Sequence, residues 1–275
     1  MTLPNFLIIG AAKAGTTSLY HYMNEHPEAF MSPIKETNYF CWQEMPKRKI
    51  RVRTAEEYEL LFDEVTTQHA IGEASPVYLV CASAADRIAA TLPHAKLIFS
   101  LRNPADRAYS HYLDRVRGLR ERGSLKKAMQ PGTLYFDDGL YYALLLRYME
   151  RFPASQIKVI LFDDLAATPL PVVQDLYAFL GIDASFQPAL TRHNISKLPR
   201  SPIVSALAGR AAKVVHHLLP RSMRYTGLFT RAQRILNTDP PPLPPDLRRQ
   251  MLDHYRDDIA RTGALIGRDL SHWLA

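Results

Sequence analysis

Phe6-Leu-Ile-Ile-Gly10-Ala-Ala-Lys13-Ala-Gly15-Thr16-Thr17-Ser18-Leu19 is the stretch that decides how this chain folds. An apolar run stops at a glycine, a loop of small residues follows, and a helical pattern begins at Thr17. A short apolar run bounded by Gly reads as a buried parallel strand. The segment therefore has the strand–loop–helix layout of a phosphate-binding loop. Gly10 and Gly15 carry the spacing of such a loop, yet Thr16 stands where a nucleotide hydrolase needs its lysine. The lysine of this loop is Lys13, placed earlier, where it can reach a bond being broken rather than a terminal phosphate. Backbone N–H groups around Gly15 to Ser18, the hydroxyls of Thr16, Thr17 and Ser18, and the positive end of the next helix all favour an anion. The loop reads as a grip on a nucleotide anion, and it argues against Mg²⁺-dependent ATP hydrolysis.

Working outward, apolar runs and helical patterns alternate. Ala70–Glu73, Lys96–Leu101 and Ile157–Phe162 read as further strands. Helices are expected over Thr17–Glu25, from Thr54, over Ala82–Leu92, from Pro104 to about Gly118, over Leu140–Phe152 and over Leu170–Leu180. Gly123–Asp138 reads as a loop. This alternation implies a mostly parallel sheet covered on both faces. Beyond Ala184 no strand is expected. A helical run from about Val204 to Leu219, a Pro-rich connector over Asp239–Pro245 and a last amphipathic helix from about Asp246 to Leu265 complete the chain. The expected arrangement is a single domain, residues 1–275, with an α/β nucleotide-binding core over 1–183 and a basic late loop and helical cap over 184–275.

The composition of the 275 residues is that of an ordinary globular protein, with a formal net charge of +7. No apolar run approaches the roughly 20 residues that span a bilayer. The N-terminus runs straight into a strand without a charged leader, so a cytoplasmic location is expected. Cys41 and Cys81 are too few for a disulfide framework or a metal site. From Ala184 to Thr238 there is no Asp or Glu, against nine Lys and Arg residues. A second basic cluster runs from Arg115 to Lys127. Both point to an anionic ligand or surface, and the late segment offers a route to peripheral membrane contact. Zinc-finger spacing and aromatic–basic RNA signatures are missing, so no nucleic-acid partner is expected.

A second constellation is Ser100-Leu-Arg102-Asn-Pro104-Ala-Asp-Arg107-Ala-Tyr-Ser110. Arg102 lies just past the end of a strand, where open α/β sheets bind ligands. Asn103 is a good N-cap and Pro104 a good first helical residue. Ser110 is two turns into that helix, placed to share one phosphate with Arg102. Two anion sites on one sheet edge suit a ligand with two separated anionic groups.

Lys13-Ala-Gly-Thr-Thr17 followed by Leu101-Arg102-Asn-Pro-x-x-Arg107-Ala-x-Ser110 closely resembles the paired nucleotide signatures of sulfotransferases. These enzymes use 3′-phosphoadenosine-5′-phosphosulfate (PAPS) and release 3′,5′-ADP (PAP). The resemblance implies a P-loop-like three-layer fold around a central parallel sheet of about five strands. It places Lys13, Ala14, Gly15, Thr16, Thr17 and Ser18 on the 5′ side of the nucleotide, and Arg102 and Ser110 on its 3′-phosphate. Lys35-Glu36-Thr-Asn38-Tyr-Phe40 resembles a motif of heparan-sulfate-type carbohydrate sulfotransferases in which the Glu is the catalytic base. Gly72-Glu73-Ala-Ser75-Pro76-x-Tyr78 resembles their next motif, with Ala74 where those enzymes usually carry Lys. Asn38 and Glu73 thereby fall on the acceptor side. Arg192-His-Asn194-x-Ser-x-x-Pro-Arg200-Ser201 is similar to the late loop of bacterial members, which makes Lys197, Arg200 and Ser201 nucleotide contacts. Gly267-Arg-Asp-Leu270-x-x-Trp273 is similar to their ending.

The chemistry so implied is in-line sulfuryl transfer from PAPS to an acceptor hydroxyl on a glycan, glycolipid or glycosylated natural product. Like phosphoryl transfer, it is catalysed by positioning and charge stabilisation. Glu36 is the expected base, with Glu73 and then His111 as rivals. A carboxylate is a weak base at neutral pH, so efficient work asks for a buried setting. Lys13 is assigned to the oxygen of the leaving nucleotide, and no metal is expected. Two other readings fit the loop: a P-loop kinase-like phosphotransferase and a non-catalytic nucleotide- or polyanion-binding module.

Overall fold

Along β1 (Phe6–Gly10) every residue is buried. Phe6 and Ile8 enter one apolar cluster, and Leu7 and Ile9 enter another. That is the period-two alternation of a strand covered on both faces. The structure, a computed structural model, describes residues 2–44, 52–190, 198–199, 237–238 and 240–275. Parallel to β1 run β2 (Ala29–Met31), β3 (Ala70–Ala74), β4 (Lys96–Leu101) and β5 (Ile157–Leu161), in the order β2-β3-β1-β4-β5. β1 is central, and the chain reverses its direction of travel across the sheet at the β1/β4 junction. Ligands of open α/β sheets bind at such a point, beyond the carboxyl ends of the strands.

Helices cover both faces. α1 (Thr16–Glu25) packs Leu19, Tyr22 and Met23 against Phe6 and Ile8. Ten α-helices are described: α2 (Ala55–Glu59), α3 (Ala84–Thr91), α4 (Pro104–Arg117), α5 (Leu125–Ala128), α6 (Leu134–Asp137), α7 (Tyr141–Met149), α8 (Phe162–Ala167), α9 (Pro169–Leu180) and α10 (Pro245–Ile266) follow α1. α8 and α9 join α1 through Leu165, Val173, Leu176 and Tyr177. On the other face α3, α4, α7 and α10 contribute Ile88, Ala105, Ala108, Leu145, Tyr148, Met251 and Tyr255 to the cluster around Leu7, Leu97 and Phe99. The result is the expected three-layer α/β fold with a five-stranded parallel sheet.

Several local expectations shift. β2 escapes the sequence reading because three residues carry no measurable alternation. Gly123–Asp138 contains the one-turn helices α5 and α6, each started by a hydroxyl cap: Ser124 accepts from Lys127 N and Thr133 from Phe136 N. Beyond Ala184 two short strands, β6 (Leu198–Pro199) and β7 (Asn237–Thr238), pair antiparallel, and β6 lies against α4. The helix expected over Val204–Leu219 and the basic residues from Arg192 to Arg234 lie outside the described residues. Cys41 and Cys81 are free and buried.

One buried carboxylate organises the edge near β3. Glu73 is 0% exposed. Its Oε2 accepts from Thr37 Oγ1 at 2.7 Å and Ser75 Oγ at 2.8 Å, and its Oε1 from Tyr78 OH at 2.8 Å and Tyr58 OH at 3.0 Å. Burial pushes its carboxyl up, against the pull of the hydroxyl bonds. The sequence reading set Glu73 on the acceptor side as a rival base. Four converging hydroxyls instead seal it beneath the segment that carries Glu36 and Asn38. Glu73→Ala leaves those hydroxyls without an acceptor, at about 1–3 kcal/mol for each buried group stranded. Urea unfolding is expected to show a loss of roughly 3 kcal/mol or more for Glu73→Ala, with Glu73→Gln in between. A Glu73→Ala protein as stable as wild type contradicts this account of the edge.

Candidate functional site

Gly15 ends the loop and caps α1. Its φ of 86° is left-handed, and a Cβ there would meet side-chain carbons of Leu165 and Phe162 at 3.0 Å. Only glycine suits both demands. The first helical bond runs from Leu19 N to Gly15 O at 3.1 Å, so the N–H groups of Thr16, Thr17 and Ser18 have no acceptor within the helix. The first turn of α1 carries no acidic side chain to use them. Free donors at a positive helix end fit an anion.

The loop is latched to the end of β4. Ala11 N donates to Ser100 O at 2.7 Å, and Ser100 Oγ donates to Ala14 O. Arg102 Nη1 then reaches the Lys13 carbonyl at 3.2 Å, with its guanidinium 4.8 Å from the centre of the Phe162 ring. Burial lowers the pKa of Arg102, which stays cationic all the same. Tyr141 OH donates to Arg102 O at 2.8 Å and steadies the turn into α4. Asn103 caps α4 by accepting from Ala105 N and Asp106 N, and its amide donates to Trp273 O at 2.8 Å. The C-terminal Gly267–Trp273 motif thus braces this turn. Lys13 and Arg102, far apart in sequence, stand side by side.

α4 carries the next residues of the candidate site. Ser110 is buried at 8% exposure. Arg107 is fully buried: Nη2 donates to Tyr135 O, Nη1 lies 3.9 Å from Asp138 Oδ2, and Nε has no hydrogen-bond partner. His111 Nδ1 lies 3.9 Å from the same carboxylate oxygen. Lys13 Nζ lies 3.6 Å from Asp114 Oδ1, and Arg117 Nη2 lies 2.5 Å from that oxygen. The sequence reading missed Asp114. Its signal was available: it follows Ser110 by four residues, one turn along the same helix face.

The acceptor-side segment hangs on β3. Glu36 N donates to Ala74 O at 2.9 Å, and Asn38 N donates to Ser75 Oγ at 3.1 Å. Glu36 has φ 62° and Asn38 φ 57°, while Lys13 has φ 72°. These are three of the five non-glycine residues with left-handed backbone among those described. Such strain concentrates at functional sites. Asn38 is buried with its Oδ1 unpartnered. The burial expected for Glu36 is not found: its side chain is 49% exposed and pairs with Lys35 Nζ at 3.0 Å. Lys197, Arg200 and Ser201 lie outside the described residues. Among the described residues no group of three or more His, Cys, Asp or Glu is placed so that it could hold a metal ion.

The chain is similar to known proteins. The family model described as "Sulfotransferase family" matches residues 74–188. The crystal structure of a sulfotransferase from Alicyclobacillus acidocaldarius is similar over 100% of both chains, with 32% identity and a TM-score of 0.77. The human bifunctional heparan sulfate N-deacetylase/N-sulfotransferase 3 is 31% identical over 201 residues, which is 66% of this chain and 22% of that protein. The mouse heparan sulfate glucosamine 3-O-sulfotransferase 5 is 27% identical over 205 residues, 70% of this chain and 56% of that protein. The chain spans 22–26% of the length of the first curated relatives it matches.

His111 reports the electrostatics of the site. Burial, and then the charges of Arg107, Arg115 and Lys13, lower its pKa to about 3. The imidazole is neutral at pH 7 and is a poor proton acceptor there. Unfolding restores an ordinary pKa near 6.5. Between about pH 6.5 and 3 the unfolded chain therefore binds the extra proton, and stability falls as pH falls, by up to ~1.4 kcal/mol per pH unit. Denaturant titrations at pH 7 and pH 5 are expected to show a smaller acid loss for His111→Gln than for wild type. Equal acid losses would place the positive field elsewhere.

Proposed function

The chain belongs to the sulfotransferase family, and we propose that it transfers a sulfuryl group from PAPS to a hydroxyl of a carbohydrate-containing acceptor. The observation that carries this reading is the contact of Arg102 with the Lys13 carbonyl at 3.2 Å. It brings two cationic cradles together at neighbouring strand ends, as an adenosine with anions at both its 5′ and 3′ positions requires. On this reading Lys13, Ala14, Gly15, Thr16, Thr17 and Ser18 hold the 5′ side. Arg102 and Ser110 hold the 3′-phosphate. Lys197, Arg200 and Ser201 are proposed as its late-loop contacts. The approach of β6 to α4 supports a late loop near that helix.

The reaction balances within these residues. The acceptor oxygen forms a bond to sulfur, and the bond from sulfur to the 5′-phosphate oxygen breaks. The acceptor proton goes to Glu36, and PAP leaves with its new charge beside Lys13. Donors of the loop hold the transferring group throughout, which is where electrostatic catalysis is largest. Glu36 is assigned as the base in preference to Glu73, which has both oxygens saturated by buried hydroxyls. Its pairing with Lys35 is on the surface and yields at little cost. Asn38 Oδ1, buried without a partner, is proposed to accept from the acceptor sugar. The names of the heparan sulfate relatives support a carbohydrate acceptor. Among the described residues no helix is long and apolar enough to cross a membrane. Action in the cytoplasm is part of the same proposal, and cell fractionation checks it.

Calorimetry with 3′,5′-ADP in the absence of Mg²⁺, followed by transfer of ³⁵S from PAPS to a panel of oligosaccharides, tests the reading. Lys13→Ala is expected to lower turnover about 10²–10³-fold with a much smaller change in nucleotide affinity. Arg102→Ala is expected to weaken 3′,5′-ADP binding by about tenfold or more, since it removes a charged partner of phosphate. Glu36→Gln should abolish most turnover and leave nucleotide binding intact. Mg²⁺-dependent ATP binding, or wild-type turnover in both Lys13→Ala and Arg102→Ala, would overturn the proposal.

A further inference from the structure

Lys13 is the cation on which the proposed transfer turns. It sits on a loop with left-handed backbone, its side chain is 22% exposed, and burial lowers its pKa. Among the described residues the charged and titratable groups facing it are Asp114, Arg117, Arg102 and His111. Three of these four are basic. Asp114, on the third turn of α4, is the one acid. Its Oδ1 lies 3.6 Å from Lys13 Nζ, and the same carboxylate lies 2.5 Å from Arg117 and 3.8 Å from Arg120. Arg117 and Arg120, both more exposed than Asp114, pair with the same carboxylate, and Arg117 shares the Oδ1 that faces Lys13.

We propose that Asp114 is the positioning residue of Lys13: its carboxylate holds the ammonium charged and aimed along α4 at the mouth of the loop. The inference rests on the sulfotransferase reading, because it gives Asp114 a purpose only where Lys13 must meet a leaving oxygen. Asp114 touches no reacting atom. It acts through Lys13, and Arg117, on the same Oδ1, opposes it. Lys13 extends along the third turn of the helix that carries Ser110, so the lysine and the 3′-phosphate site share one rigid element. Orientation of this kind is worth large factors, since a displacement of about 1 Å can cost ~10²-fold in rate.

The sign of the coupling is fixed by charge. Asp114 stabilises the protonated form of Lys13, and Arg117 opposes it. Competitive acetylation of the full chain with acetic anhydride between pH 6 and 11, with Lys13 followed by mass spectrometry, measures this without any sulfuryl chemistry. Asp114→Asn is expected to move the Lys13 titration down by about one pH unit, and Arg117→Ala to move it up. Asp114→Glu keeps the charge and is expected to restore most of the shift. In PAPS turnover, Asp114→Asn should lower kcat about tenfold or more, change KM for PAPS less than threefold, and move the alkaline limb down with the Lys13 titration.

Coincident Lys13 titrations in wild type and Asp114→Asn overturn the inference. So does an active enzyme whose kcat and alkaline limb ignore Asp114→Asn. An inactive wild type with a shifted Lys13 titration sinks the sulfotransferase reading and leaves the ion pair standing, so the two failures are distinct. Equal melting temperatures for wild type and Asp114→Asn exclude a folding defect as the cause of lost turnover.

Discussion

The hydrogen bonds that tie the loop after β1 to the end of β4 support everything built above the sheet. Ser100 holds the loop twice, through its carbonyl to Ala11 and its hydroxyl to Ala14, and Arg102 completes the latch at the Lys13 carbonyl. These groups are buried or partly buried, where an unmade hydrogen bond is costly, so the latch resists opening. It sets the separation of two cationic sites that the chain keeps nearly ninety residues apart. The same turn receives Tyr141 on one side and Trp273 on the other, so the helical cap reports directly to the anion site.

A positive field is the second constraint. Arg107, Arg115 and Lys13 crowd the junction of the loop and α4, and their charges add to burial, the larger cause, in lowering the pKa of His111. Burial strengthens such a field because water screens it less. A multiply charged anion relieves it, and Asp114 relieves it locally at Lys13. At Lys13, Glu36 and Asn38 the surrounding structure holds left-handed backbone that these residue types adopt at a cost.

Much of the site was legible beforehand, and the reasons are local. A buried strand shows as an unbroken apolar run, a phosphate loop as glycines and hydroxyls at its end, and a helix start as Asn103 before Pro104. β2 and the β6–β7 pair were too short to carry a period. α5 and α6 hid in a loop-like composition, although Ser124 and Thr133 mark their caps. Glu73 looked like a rival for Glu36 because both are acids in motif-like surroundings. Their difference is the four hydroxyls that converge on one and the solvent that meets the other.

The sequence by itself determined the α/β class, the strand–loop–helix segment around Gly10 and Gly15, and the choice of Lys13, Arg102 and Ser110 as candidates, because each is encoded within a few neighbouring residues by period, glycine placement or capping chemistry. Tertiary structure alone decided that Lys13 meets Asp114, that Arg102 lies against the loop, that Glu73 is sealed and that Glu36 faces solvent. Those outcomes depend on the order of strands in the sheet and the line along which α4 crosses the loop. They join residues tens of positions apart, and no local pattern can specify such distances.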